Sequence, residues 1–189
     1  MSFKKCKYVS NIMSDFKQPW FFAGGWAIDL FLGKETRIHE DIEIGIFREN
    51  QFDLKRFLNQ WEFKKVLNGN ITPWNNEYLE LPIHEVHAIN NLNNNALEIL
   101  LNESHNEKWI FRRDSRICYS LKSALLFSTT GLPYLAPEIV LLYKSKNIRE
   151  KDHMDFLNVK DHLNINQKNW LKESLEIQSP NHKWLEFLD

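Results

Sequence analysis

Cysteine is scarce: Cys6 and Cys118 are the two thiols in 189 residues. Their separation offers neither a metal-ligand spacing nor a disulfide framework, so two reduced thiols in a cytoplasmic protein are expected. Glycine and proline number six each, which argues against long flexible linkers. No stretch reaches the roughly 18 consecutive apolar residues of a membrane helix, and no membrane partner is expected. The start, Met1-Ser-Phe-Lys-Lys-Cys-Lys-Tyr8, lacks the apolar run of a signal peptide. An excess of one charge is missing too: 24 Lys and Arg face 25 Asp and Glu, for a net charge of −1. No overall basic field points to nucleic acid, and any polynucleotide contact has to be local. Nothing in the pattern sets an oligomeric state.

What is present suits a folded domain. Hydrophobic residues make up 43% and charged residues 26%, enough for one compact core or two small subdomains sharing an interface. Seven tryptophans are expected mainly in cores, with a few free to line a pocket.

Periodicity supplies the elements. Residues 4–17 read as a first helix. Trp20-Phe-Phe-Ala23 is a short apolar strand that meets Gly24-Gly25. Trp26 to Leu32 is helical, with Ala27, Leu30 and Phe31 on one face and Gly33 as its C-cap. Asp41-Ile-Glu-Ile-Gly-Ile-Phe47 alternates as a strand does. Residues 50–59 read as an amphipathic helix. Trp61–Leu67, Ile83–Ile89 and Ala96–Leu101 read as strands, with an Asn-rich turn at Asn90–Asn95. Beyond Arg112 the texture changes: Glu138–Lys146 after Pro137, Arg149–Val159 and Asn166–Gln178 are helical, and Trp184–Leu188 closes the chain as a short helix. The expected organisation is a mixed α/β part over residues 1–111 and a helical part over 112–189.

Three pieces point to chemistry. On a strand, Asp41 and Glu43 project to one face while Ile42 and Ile44 face the core. Two adjacent carboxylates repel, and a divalent cation offsets that cost. Mg²⁺ takes carboxylate oxygens together with waters and phosphates. A solvated edge strand would show the same pattern. Gly24-Gly25 permits close backbone approach, and the helix it opens offers unpaired N–H groups to a phosphate; most glycine pairs are simply turns. Glu98 interrupts the apolar strand Ala96-Leu-Glu-Ile-Leu-Leu101. A metal site would explain it, as would a strand with one wet face, and Glu103 is the fallback acid if the register differs.

His84 and His87 sit three apart and face opposite sides of a strand, which disfavours shared zinc ligation. Trp74, Tyr78 and Glu80 read either as an acceptor-pocket wall or as ordinary loop packing. Asp152 and Asp155, beside Lys151 and His153, read as a solvated helix face, with a pocket role the alternative for Asp152.

The stretch Gly24-Gly-Trp-Ala-Ile-Asp-Leu-Phe-Leu-Gly-Lys-Glu-Thr-Arg-Ile-His-Glu-Asp-Ile-Glu-Ile44 resembles, without gaps, the opening motif of the aminoglycoside 2''-nucleotidyltransferase and lincosamide nucleotidyltransferase families. These belong to the polymerase-β-like superfamily. Leu97–Glu103 and Tyr134–Lys146 with Arg149–Asp152 are similar to later parts of the same group, so the resemblance spans about residues 20–160.

The resemblance implies an α+β fold: a polymerase-β-like mixed sheet flanked by helices, with a helical C-terminal domain. It implies transfer of a nucleoside monophosphate from ATP or another nucleoside triphosphate to a hydroxyl of a small molecule, an aminoglycoside- or lincosamide-type antibiotic by analogy. Asp41, Glu43 and Glu98 would be the catalytic and metal-binding acids for Mg²⁺, with two ions expected. Glu98 would either complete the metal site or accept the proton of the attacking hydroxyl. Gly24 and Gly25 would lie against the triphosphate. Thr36, Arg37 and His39 match the loop before the carboxylate strand, and Lys144 would be a further nucleotide contact. Two departures stand out. Glu43 occupies a position where Asp is usual, and Glu98 one where the aminoglycoside enzymes have Asp. A longer side chain shifts each oxygen by roughly an ångström, a distance that matters in catalysis. A catalytically silent nucleotide-binding protein on the same fold, or transfer to a protein or RNA, are the rival readings.

Overall fold

The computed structural model describes residues 3–93 and 95–188. Asn94 of the Asn-rich turn, and Met1 and Ser2 of the N-terminal segment, lie outside the described residues. In chain order the elements are α1 (Lys4–Ile12), β1 (Trp20–Phe22), α2 (Gly24–Leu32), β2 (Glu43–Phe47), α3 (Gln51–Phe57), β3 (Trp61–Leu67), β4 (Asn70–Pro73), β5 (Glu85–Asn90), β6 (Asn95–His105), β7 (Lys108–Ile110), β8 (Cys118–Ser120), α4 (Leu121–Ala124), β9 (Leu125–Phe127), β10 (Pro133–Leu135), α5 (Pro137–Lys144), α6 (Glu150–Val159) and α7 (Ile165–Gln178). Short 3-10 helices cover Arg48–Asn50 and Lys183–Phe187.

The strands form a mixed sheet in the order β4-β3-β5-β6-β2-β1-β10-β9, with β7 and β8 branching from the far end of β6. The pairs β1–β10 and β2–β6 are parallel, and the other pairs along this path are antiparallel. The architecture is the α+β mixed sheet flanked by helices that the motif led us to expect.

Most elements fall where periodicity placed them, with shifted ends. The first helix stops at Ile12 instead of residue 17. The strand expected over Asp41–Phe47 begins at Glu43, so Asp41 stands just outside it. β4 and the short strands β7 to β10 were not anticipated. Three of these lie beyond residue 112, and β10 pairs with β1 inside the main sheet.

Alternation along β6 sets up the site. Leu97, Ile99 and Leu101 are buried, while Glu98 and Leu100 between them are half-buried on the opposite face. Period-two geometry leaves no other arrangement once the apolar set is packed. Ile44 and Ile46 of β2 are fully buried beside Phe21 and Phe22 of β1.

The C-terminal helices close over this sheet. Pro137 opens α5, where its missing N–H costs nothing. Gln167 of α7 donates to the buried Glu138 carboxyl of α5 at 2.9 Å. Asn164 and Gln167 form a reciprocal capping box at the start of α7, a feature that contributes about 1 kcal/mol. Trp184 stacks on Phe156 at 4.3 Å and so docks the closing turn on α6.

Candidate active site

A cleft of about 620 Å³ opens between the sheet and the C-terminal helices. Its floor holds Asp41, Glu43, Glu85 and Glu98, and Gly24 and Arg37 line it at the start of α2. Lys144 and Arg149 face it from α5 and the α6 cap.

The floor is built by strand register. Glu43 and Glu98 are direct partners in the parallel β2–β6 ladder, so both project to one side. Asp41 is held by its backbone: the Trp26 indole donates to its carbonyl at 2.9 Å. The Ile42 carbonyl accepts from the Glu98 N–H at 2.9 Å, which continues the ladder next to it. All three acids line the cleft, Glu43 and Glu98 from one face of the sheet and Asp41 from the loop just before β2.

Their charges interact. Burial pushes the Glu98 carboxyl up to about 7, and the charges of Glu43, Asp41 and Glu85 add to this, while His87 works against it. Crowded oxygen donors of this kind suit a hard cation such as Mg²⁺. Among the described residues, the group of three lying within 4.8 Å of one another is Glu85, His87 and Glu98; Asp41 and Glu43 stand outside it. His87 faces Glu98 across β5 and β6 and holds Glu85 at 2.8 Å.

The glycines fit the site closely. Gly24 has φ +54°, in the left-handed region, and a Cβ there would overlap the Glu43 carboxylate. A Cβ on Gly25 would overlap the Arg37 guanidinium and the His39 ring. Glycine is thus favoured at both positions, at Gly24 for backbone conformation and at both for space.

The loop between α2 and β2 is anchored inward. Asp29 is fully buried. The Thr36 hydroxyl donates to its Oδ1 at 2.5 Å, and His39 Nε2 lies 2.6 Å from its Oδ2. The His39 ring packs on Trp26 with centroids 4.4 Å apart. Thr36 therefore points at Asp29 and away from the cleft lining, while His39 reaches the lining with its ring edge.

Arg37 and Lys144 come together through acids on α6. Arg37 Nε and Nη2 each lie 3.3 Å from the Asp155 carboxylate. Lys144 Nζ bridges Asp152 at 2.8 Å and Asp155 at 3.0 Å, and Arg149 Nε meets Asp152 at 2.7 Å. Asp152 and Asp155, expected on a solvated face, are each only 1% exposed. Burial opposes the charge on Asp152, yet hydrogen bonds from Arg149 and Lys144 win and hold its pKa down at about 2.

Other candidates separate from the site. Glu103 is paired with Arg48 at 2.7 Å. Trp74 is buried, with its indole donating to the Glu77 carbonyl at 2.9 Å. Neither Trp74, Tyr78 nor Glu80 lines the cleft.

The sequence profile of the aminoglycoside-2''-adenylyltransferases matches residues 6–159, which spans the whole site. The chain belongs to the aminoglycoside-2''-adenylyltransferase family. Membership makes it a nucleotidyltransferase. A lincosamide resistance protein of Staphylococcus haemolyticus is 23% identical over 158 residues, covering 83% of this chain and 93% of that relative. The crystal structure of the lincosamide antibiotic adenylyltransferase LnuA, lincomycin-bound, matches with a TM-score of 0.59 at 18% identity, covering 85% of this chain and 98% of that one. The crystal structure of ANT(2")-Ia in complex with adenylyl-2"-tobramycin matches with a TM-score of 0.64 at 13% identity, covering 94% and 100%. At these identities the two structures speak for the fold.

Within this family frame, sequence reasoning passed over Asp29, Arg112 and Arg113, and it placed the buried Asp155 on a solvated face. Asp29 had a signal, as the acid of the Gly-Gly-Trp-Ala-x-Asp motif. Asp155 gave no sign of its burial, because its partner Arg37 is 118 residues away.

Proposed function

We propose that this protein moves a nucleoside monophosphate from a nucleoside triphosphate, with ATP the first donor to test, to a hydroxyl of a small molecule. The observation that carries this reading is the in-register pairing of Glu43 and Glu98 beside Gly24, at one end of a cleft with cations on the opposite wall. An aminoglycoside- or lincosamide-type antibiotic is the acceptor class that the relatives' names bring to the test. ATP as donor suits a cytoplasmic enzyme.

Asp41, Glu43 and Glu98 are the residues that would hold Mg²⁺, and their all-oxygen donor set and mutual repulsion fit it. When bound, Mg²⁺ supplies neutralisation of phosphate charge. Gly24, Gly25 and the first N–H groups of α2 receive the triphosphate, where the helix terminus favours an anion. Arg37, Lys144 and Arg149 supply positive charge beside it. Asp29 holds Thr36 and His39 so that Arg37 is presented at the cleft rim. Glu98 either completes that metal site or, left free of the ion, takes the proton of the attacking hydroxyl. Attack in line at the α-phosphorus then expels pyrophosphate.

The test is incubation with each labelled nucleoside triphosphate, Mg²⁺ and a panel of acceptors. Turnover should vanish in Asp41→Ala, Glu43→Ala and Glu98→Ala. Full activity of Asp41→Ala would reject the site assignment. ATP binding that ignores Mg²⁺ and survives Asp41→Asn would instead mark a silent nucleotide-binding protein.

A further inference from the structure

The cleft has a second end. β7 runs antiparallel to β6, so the chain leaving Ile110 heads back toward Glu98 and places Arg112 and Arg113 on the cleft wall. Arg112 interacts with Glu85 and Glu103, which sets it near the Glu85–Leu100 cross-strand pair. That pair lies two residues, about 7 Å, along β6 from Glu98.

Both guanidinium groups are held by an aromatic platform. Each stacks over the Tyr143 ring with 5.4 Å to its centroid, and Arg113 Nη1 donates to the Tyr143 carbonyl at 3.0 Å. Burial keeps the Tyr143 phenol neutral, at about 12. Among the described residues neither arginine forms an ion pair with a carboxylate. The nearby acids are engaged elsewhere: Glu103 with Arg48 at 2.7 Å and Glu85 with His87 at 2.8 Å. Arg112 is half-buried and Arg113 is exposed; desolvation lowers the pKa of each, with Arg48 adding to this at Arg112 and Arg112 at Arg113. Two adjacent cations with no acid between them cost stability, and a bidentate anion offsets that cost.

We propose that the hydroxyl acceptor carries an anionic group, a carboxylate or a phosphate, that docks on Arg112 and Arg113 while its hydroxyl reaches Glu98. This rests on the nucleotidyl-transfer reading. The triphosphate already has its own cations, Arg37, Lys144 and Arg149, at the Gly24 end. Arg112, Arg113 and Glu98 line the same cleft, so one compact hydroxylated acid can address both ends. A polycationic aminoglycoside would meet like charge at this end, and such juxtaposition is a strong device for rejecting a ligand.

The experiment measures binding of glycerate, glycerol phosphate, glycerol and a cationic aminoglycoside to the full-length protein saturated with Mg²⁺ and a non-hydrolysable ATP analogue. Glycerate and glycerol phosphate should bind at least tenfold more tightly than glycerol, and their ratio separates carboxylate from phosphate recognition. Arg112→Gln and Arg113→Gln should each weaken anion binding about tenfold and leave affinity for the analogue unchanged. Arg113→Lys, which keeps the charge, should lose less. Equal binding of glycerol, preference for the aminoglycoside, or loss of nucleotide affinity in the glutamine variants would overturn the proposal. Pyrophosphate release is followed separately: anion binding without any release from the panel removes the transfer reading and leaves the anion site standing.

Discussion

The Glu43 carboxylate occupies the space that a side chain on Gly24 would need. This contact ties the turn before α2 to the acid on β2. Gly24→Ala should therefore act in two ways: by forcing alanine into a left-handed conformation, at a cost of about 1–2 kcal/mol, and by displacing Glu43. We expect a loss of at least a hundredfold in kcat/KM. The shorter acid in Gly24→Ala/Glu43→Asp should recover part of that loss. Urea unfolding and steady-state kinetics on both variants separate the two effects, and an unaltered rate in Gly24→Ala would place Glu43 elsewhere.

Glu98 gives a pH prediction for the metal-free protein. Its carboxyl rises from 4.5 in the unfolded chain to about 7 in the folded one. The folded state then holds a proton that the unfolded state has already lost. The associated stability is fully present below about pH 4.5 and disappears as pH rises through about 7. A shift of this size corresponds to roughly 3 kcal/mol, reduced to about 1–2 kcal/mol because Glu98 is only half-buried. With EDTA present, the wild type should lose that much between pH 5 and pH 8 relative to Glu98→Gln. Parallel curves for the two proteins would show that Glu98 is not electrostatically strained. Mg²⁺ should restore the wild type at pH 8 and do little for Glu98→Gln.

Asp155 holds both Arg37 and Lys144. Removing it leaves the nearly buried Lys144 ammonium with Asp152 alone. Asp155→Ala should cost about 3 kcal/mol, the scale for breaking a buried pair from one side. Asp155→Asn should cost less, since the amide oxygen still accepts a hydrogen bond. Both should raise KM for ATP more than they lower kcat. A change in kcat alone would argue that Arg37 and Lys144 do not contact the nucleotide.

Thr36 and His39 invite a sharper discrimination. Both are bound to Asp29. Thr36→Val should cost about 1 kcal/mol of stability and leave ATP affinity within twofold. Asp29→Ala frees the whole loop and should weaken ATP binding at least tenfold. Calorimetric titration of ATP into both variants checks this; a large affinity loss in Thr36→Val would make its hydroxyl a direct nucleotide contact.

Much of the fold was readable because long amphipathic or alternating stretches dominate it. The helices at α2, α3, α5, α6 and α7 and the strands β3, β5 and β6 carry enough periodicity to declare themselves. β8, β9 and β10 are three residues each, too short for any period to show. Spacing brought Asp41 and Glu43 to attention and both line the cleft, although Asp41 lies outside β2 and not on the strand that the spacing implied. Asp152 and Asp155 were misread because their immediate neighbours are charged. Their burial depends on Lys144 and Arg37, and Arg37 is 118 residues from Asp155. Arg112 and Arg113 likewise look like surface charge until β7 turns them back toward the cleft.

The position of β10 has a consequence for how the protein comes into being. Phe22 pairs in parallel with Tyr134, so one side of β1 stays without its neighbour until more than a hundred further residues exist. A growing chain halted before residue 133 holds its acids and glycines with an open strand edge against solvent, the kind of edge that chaperones shield and aggregates exploit. Completion of the catalytic half is therefore a late event in synthesis, because such distant pairings are slow to close.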